Sequence, residues 1–70
     1  MPDHVYAISE IAGASPDSIE GAIHTALARA RKTLRNLDWF EVTELRGHLT
    51  PDGAVDHYQV VLKLGFRMDD

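Results

Sequence analysis

Between Gly13 and Asn36 the apolar residues return at steps of three and four: Ile19, Ala22, Ile23, Ala26, Leu27, Ala30 and Leu34. That spacing predicts an amphipathic helix with one apolar stripe along about five turns. Ser15-Pro16 reads as its start, with Ser15 as N-cap and Pro16 at the first helical position, where a missing N–H is harmless. Asp17 and Glu20 place negative charge in the first turn; Arg29, Arg31, Lys32 and Arg35 place positive charge at the other end, so both ends suit the helix dipole. Asn36 is the expected stop. On either side of the helix the pattern changes. His4 to Gly13 carries Val5, Tyr6, Ile8 and Ile11 and closes on glycine, which predicts a strand. Trp39 to Leu45 and Val55 to Met68 predict the two strands of a hairpin around Thr50-Pro51-Asp52-Gly53. The expected order is β-α-β-β, in a single α+β domain over residues 1–70.

In the last strand Tyr58, Val60, Leu62, Leu64 and Phe66 share one parity, so they should line one face and cover the helix stripe. Symmetric pairing about the turn, without a bulge, sets Leu64 opposite Phe40, Leu62 opposite Val42, Lys63 opposite Glu41 and Gly65 opposite Trp39. Trp39 and Gln59 then fall on the sheet face away from the helix. In a monomer that face, with Trp39, Leu45 and Val61, would lie bare to water. An apolar face rimmed by polar groups marks an interface or a ligand site.

Composition sharpens this. A 70-residue chain sits near the limit of independent stability, where disulfides, metals, ligands or further subunits usually contribute. The absence of cysteine removes disulfides and the commonest zinc ligands, which leaves self-association or ligand binding as the expectation. A formal charge of -4 speaks against a nucleic-acid binder working through overall charge. No apolar run reaches membrane-spanning length, and Met1-Pro2-Asp3-His4 lacks the order of a signal peptide, so a cytoplasmic location without membrane attachment is expected.

Candidate chemistry is sparse. His48 and His57 could face each other across the hairpin, but two imidazoles without further ligands do not make a metal site, and no metal ligand is assigned. The carboxylates form no evident acid-base pair, and Gly13-Ala14-Ser15-Pro16 lacks the repeated glycines of a phosphate-cradling loop. No catalytic residue is assigned, and a noncatalytic binding or structural module fits better than an enzyme. Trp39, the only tryptophan, is either a packing residue at a subunit contact or a stacking platform for a planar ligand. Gln59 could offer such a ligand both a donor and an acceptor. The two lie some 20 Å apart along the sheet at about 3.3 Å per residue, too far for one protomer to bring both to one small ligand. Arg46 and Arg67 read as surface or interface ion pairs, or as bidentate phosphate contacts.

Several segments together resemble one family. Ser15-Pro16-Asp17, Ala28-Arg29-Ala30, Thr33-Leu34, Leu37-Asp38-Trp39-Phe40-Glu41-Val42, Arg46-Gly47, Tyr58-Gln59-Val60 and Gly65-Phe66-Arg67 resemble the dodecins, small flavin-binding proteins, in their bacterial branch. The resemblance implies a three-stranded antiparallel sheet wrapped on one helix and a hollow homododecamer of tetrahedral symmetry. It implies flavins bound in pairs at subunit interfaces between symmetry-related copies of Trp39, with Gln59 on the ring edge. It further implies flavin mononucleotide (FMN) or riboflavin as the cofactor, Arg46 on the phosphate side, and coenzyme A as a further ligand contacted by Arg67. The implied role is storage and photoprotective sequestration of flavin without turnover. A coenzyme A or nucleotide carrier, and a structural assembly module without ligand, are the alternatives.

Overall fold

The structure, a computed structural model, describes residues 3–68. Strand β1 spans Tyr6–Ser15, helix α1 Ile19–Ala30, strand β2 Leu37–Leu49 and strand β3 Val55–Arg67. They form a three-stranded antiparallel sheet in the order β1-β3-β2, so the expected β-α-β-β fold is observed. The most apolar strand takes the centre. Val60, Leu62 and Leu64 are fully buried and meet Ala22, Ala26 and Ala30 of the helix, with Ile11, Ile23, Leu27, Leu34 and Leu37 packed around them.

The helix starts later than expected and is shorter. Ser18 is the N-cap and accepts from the Gly21 amide at 2.8 Å. Ser15 instead ends β1, where its hydroxyl accepts from the amides of Asp17 and Ser18 at 3.1 and 3.4 Å. Both serines can satisfy free amides, and strand pairing of Ser15 with Tyr58 decides which one caps the helix. The helix ends at Ala30, so of the basic cluster only Arg29 lies in its last turn. Leu34 reaches the core from the turn that follows, through its amide on the Ala30 carbonyl at 2.9 Å. Asn36 stops the segment with φ 59, a left-handed conformation that asparagine tolerates. Gly13 lets the helix approach β1: a Cβ there would stand 2.7 Å from the Ala26 Cβ.

Paired residues share a sheet face, so the register assigns the faces. Phe40 opposite Leu64, Val42 opposite Leu62, Glu41 opposite Lys63 and Trp39 opposite Gly65 occur as expected. The absence of bulges does not. Register shifts fall between Leu37 and Trp39, between Val42 and Glu44, and between His48 and Leu49. The second shift pairs Leu45 with Val60 and Arg46 with Gln59. Leu45 therefore lies on the helix-side face, not beside Trp39, and Arg46 moves onto the face of Trp39 and Gln59. At this bulge the Thr43 hydroxyl donates to the Val61 carbonyl at 3.1 Å.

Helix α1 packs closely on β1 and β3, and only the Leu37 end of β2 comes near it. The helix-side row Phe40, Val42 and Leu45 of β2 is consequently 45, 42 and 54 % exposed. The radius of gyration is 14.7 Å, against about 11 Å for a free-standing globule of this length. The accessible surface of 5112 Å² likewise exceeds the roughly 4,400 Å² that its mass predicts. The chain is more extended than a compact globule, with apolar surface left over on both sheet faces.

Candidate functional site

The face away from the helix collects the candidate residues. At one end Trp39 is held by Gly65. A Cβ on Gly65 would sit inside the indole, against its Cε2, Cζ2 and Nε1 atoms. The indole thus lies across the bare backbone of the central strand, and the missing side chain is what allows it. Trp39 remains 37 % exposed. Tyr6 stands beside it with ring centroids 6.4 Å apart and planes tilted by 56°, within the usual range of an aromatic pair. The Tyr6 hydroxyl donates to Asp38 Oδ2 at 3.1 Å, and that bond holds the phenol above its ordinary pKa. Ile8, paired with Gly65 from β1, extends the apolar floor on the other side. Residue spacing alone assigns neither Tyr6 nor Ile8 to this face, because the side of β1 that meets the helix is settled by the close approach at Gly13 and the packing of Ile11 against the core.

Arg67 closes this end of the sheet. It pairs with Tyr6, and its amide donates to the Asn36 carbonyl at 3.0 Å. Trp39 also borders a shallow groove of about 200 Å³ with Leu27, Arg31, Leu37, Asp38 and Phe40. That is below the roughly 300–1,000 Å³ of an enclosed ligand pocket.

At the other end Arg46 and Gln59 are cross-strand partners. Arg46 makes an exposed ion pair with Glu44 two residues away, a contact of little energetic weight that leaves the guanidinium free to turn to a stronger anion. Gln59 Oε1 is 2.7 Å from His48 Nε2. The His48 ring stacks on His57 with centroids 4.3 Å apart and planes 14° from parallel. Imidazole lone pairs lie in the ring planes, so two parallel rings cannot aim at one ion. Among the described residues no three histidine or carboxylate side chains are placed to share a metal ion.

The structure therefore brings Arg46 to Gln59 and Arg67 to the Trp39 end, and it does not bring the two groups together. Six positions of β3 separate Gly65 from Gln59, roughly 20 Å at about 3.3 Å per residue. One protomer offers two open half-sites: a flat aromatic platform, and an amide with a cation.

The dodecin family profile matches residues 5–69. The dodecin of Thermus thermophilus is 56 % identical over 66 residues, which is 94 % of each chain. The structure of dodecin from Streptomyces coelicolor superposes with a TM-score of 0.91 at 51 % identity and covers 100 % of this chain and 99 % of its own. A more distant structure, the calcium dodecin of Mycobacterium tuberculosis, described as calcium-chelating, shares 31 % identity with a TM-score of 0.80 over 93 % of this chain and 91 % of its own. Profile, sequence identity and superposition extend over the same β-α-β-β unit that carries Trp39, Arg46, Gln59 and Arg67, and this chain belongs to the dodecin family.

Proposed function

We propose that this chain is the subunit of a noncatalytic homododecamer that binds FMN, stores it and shields it from light. The observation that carries the reading is the indole of Trp39, laid across Gly65 on the sheet face away from the helix and still partly open to solvent. A platform of that kind suits an isoalloxazine ring, whose large flat faces gain most from stacking in a desolvated site.

In this reading symmetry-related copies of Trp39 sandwich flavins, and Gln59 of a neighbouring copy meets the polar ring edge. Arg46, placed beside Gln59 by the bulge at Thr43, holds the phosphate and so favours FMN over riboflavin. Closed symmetry covers the apolar surface that α1 leaves bare on β2 and brings the two half-sites together. The protein works in the cytoplasm with no membrane or nucleic-acid partner; among the described residues no helix is long and apolar enough to cross a membrane. Coenzyme A is a second ligand with Arg67 as its contact, because Arg67 lies at the tryptophan end, away from the phosphate position at Arg46.

Titration of FMN with the flavin-free protein tests the reading. Quenching of most of the flavin fluorescence at micromolar protein is expected, and unaltered FMN emission would sink it. Tighter binding of coenzyme A than of FMN, lost in Arg67→Ala, would favour the carrier reading instead.

A further inference from the structure

The edge residue of the proposed site has a built neighbour. Gln59 Oε1 can only accept, so the 2.7 Å contact from His48 Nε2 requires a proton on that nitrogen, and the imidazole donates. This fixes the amide: Oε1 turns to His48, leaving both Nε2 protons and one oxygen lone pair for a ligand. His48 is itself held by its stack on His57, whose Nδ1 lies 2.7 Å from Asp56 Oδ2. The chain Asp56, His57, His48, Gln59 crosses the hairpin and ends on the residue assigned to the flavin edge.

We propose that His48 is a positioning residue for Gln59, and that the His48–His57 stack makes the Gln59 contact acid-labile. The second clause rests on the flavin reading above; the first does not.

The acid response follows from the charges round the stack. On β2, Arg46 and Glu44 are paired with each other. On β3, Asp56 faces His57. From β1 the neighbours are Ala14 and Ser15, alongside Gln59 and Tyr58, with no titratable group of their own. Helix α1 lies on the other sheet face. Two neutral imidazoles stack without charge repulsion. When both carry a proton, Asp56 balances one charge and the other is uncompensated, and like charges at 4.3 Å repel. The rings separate, His48 leaves Gln59, and the amide loses its fixed orientation. Ligand affinity then falls on acidification.

The test compares wild type, His48→Leu and His48→Gln, using fluorescence titration with riboflavin, which carries no phosphate to titrate. Glutamine places a donor where Nε2 stands but takes no proton. At about pH 8, His48→Leu should bind about tenfold more weakly, as expected for a lost orienting hydrogen bond, and His48→Gln within about twofold of wild type. Towards about pH 5.5, wild type should lose about tenfold in affinity and His48→Gln should not. The lower pH is the lowest at which all three proteins sediment alike.

A His48→Gln protein as weak as His48→Leu, or an equal acid loss in all three, overturns the proposal. The flavin-free protein gives a second readout: the Gln59 side-chain amide resonance should shift in His48→Leu and titrate in wild type. If wild type quenches neither FMN nor riboflavin, the flavin reading falls while this resonance still decides the positioning role. An amide signal unmoved by both changes refutes it.

Discussion

Replacing Trp39 with alanine is expected to weaken FMN binding by roughly 10²- to 10³-fold and to abolish most quenching, with little loss of subunit stability. The contact area sets that magnitude. One ring face covers about half of the 150–250 Å² that a buried aromatic presents, which at about 25 cal/mol per Å² contributes about 2.5 kcal/mol; favourable ring geometry adds about 0.5–1.5 kcal/mol. The sum of about 3–4 kcal/mol converts to that range of affinity. Stability is largely spared because Trp39 lies outside the core formed by α1 and β3. Fluorescence titration and thermal unfolding of the same preparation check both halves. Loss of affinity together with loss of fold would make Trp39 a packing residue at a subunit contact.

The second large effect is expected from the smallest change. Gly65→Ala adds one methyl group where the indole now lies, so the ring must lift from the strand. Trp39 is partly exposed and can swing away, so the fold survives; the platform does not. FMN affinity should drop by about tenfold or more, the loss of a well-oriented ring stack with part of its contact area. The near-ultraviolet circular dichroism of the single tryptophan should change in the flavin-free protein. An unchanged tryptophan signal with wild-type FMN affinity would show that Gly65 does not set the indole. Because the substitution leaves Trp39 in place chemically, it separates orientation from identity.

Much of this site is legible in the order of residues along the chain. The parity of Val60, Leu62 and Leu64 identifies the buried face of the central strand, and the turn at Thr50 to Gly53 leads to the pairing of Trp39 with Gly65 because the shifts at His48/Leu49 and Val42/Glu44 offset each other. The bulges are harder to see, because polar residues such as Asp38 and Thr43 can be inserted without disturbing a simple pattern of alternation. Their trace is present nonetheless: the apolar positions Leu37, Phe40, Val42 and Leu45 advance by three, two and three, and each step of three marks an extra residue. Strict alternation across that step places Leu45 on the wrong face and keeps Arg46 away from Gln59.

The role of His48 has a different obstacle. Its distance from Gln59 in sequence is short, but contact depends on how two side chains fill the space between strands, which residue spacing does not specify. The helix start is ambiguous for a local reason, since Ser15 and Ser18 are both competent caps and only strand pairing chooses between them.

What no single chain can provide is a closed site. The platform at Trp39 and the amide with its cation at Gln59 and Arg46 lie at opposite ends of one sheet, and the apolar row of β2 has no cover from its own helix. Stable folding and ligand binding are therefore each expected to depend on assembly. Sedimentation velocity of the protein with FMN, followed at the flavin absorbance, tests this most directly. The prediction is one species of twelve times the 7.8 kDa chain mass that carries the FMN with it, and no folded monomer. A stable, folded monomer that binds FMN by itself, or a dodecamer that leaves FMN behind in the supernatant, would contradict it.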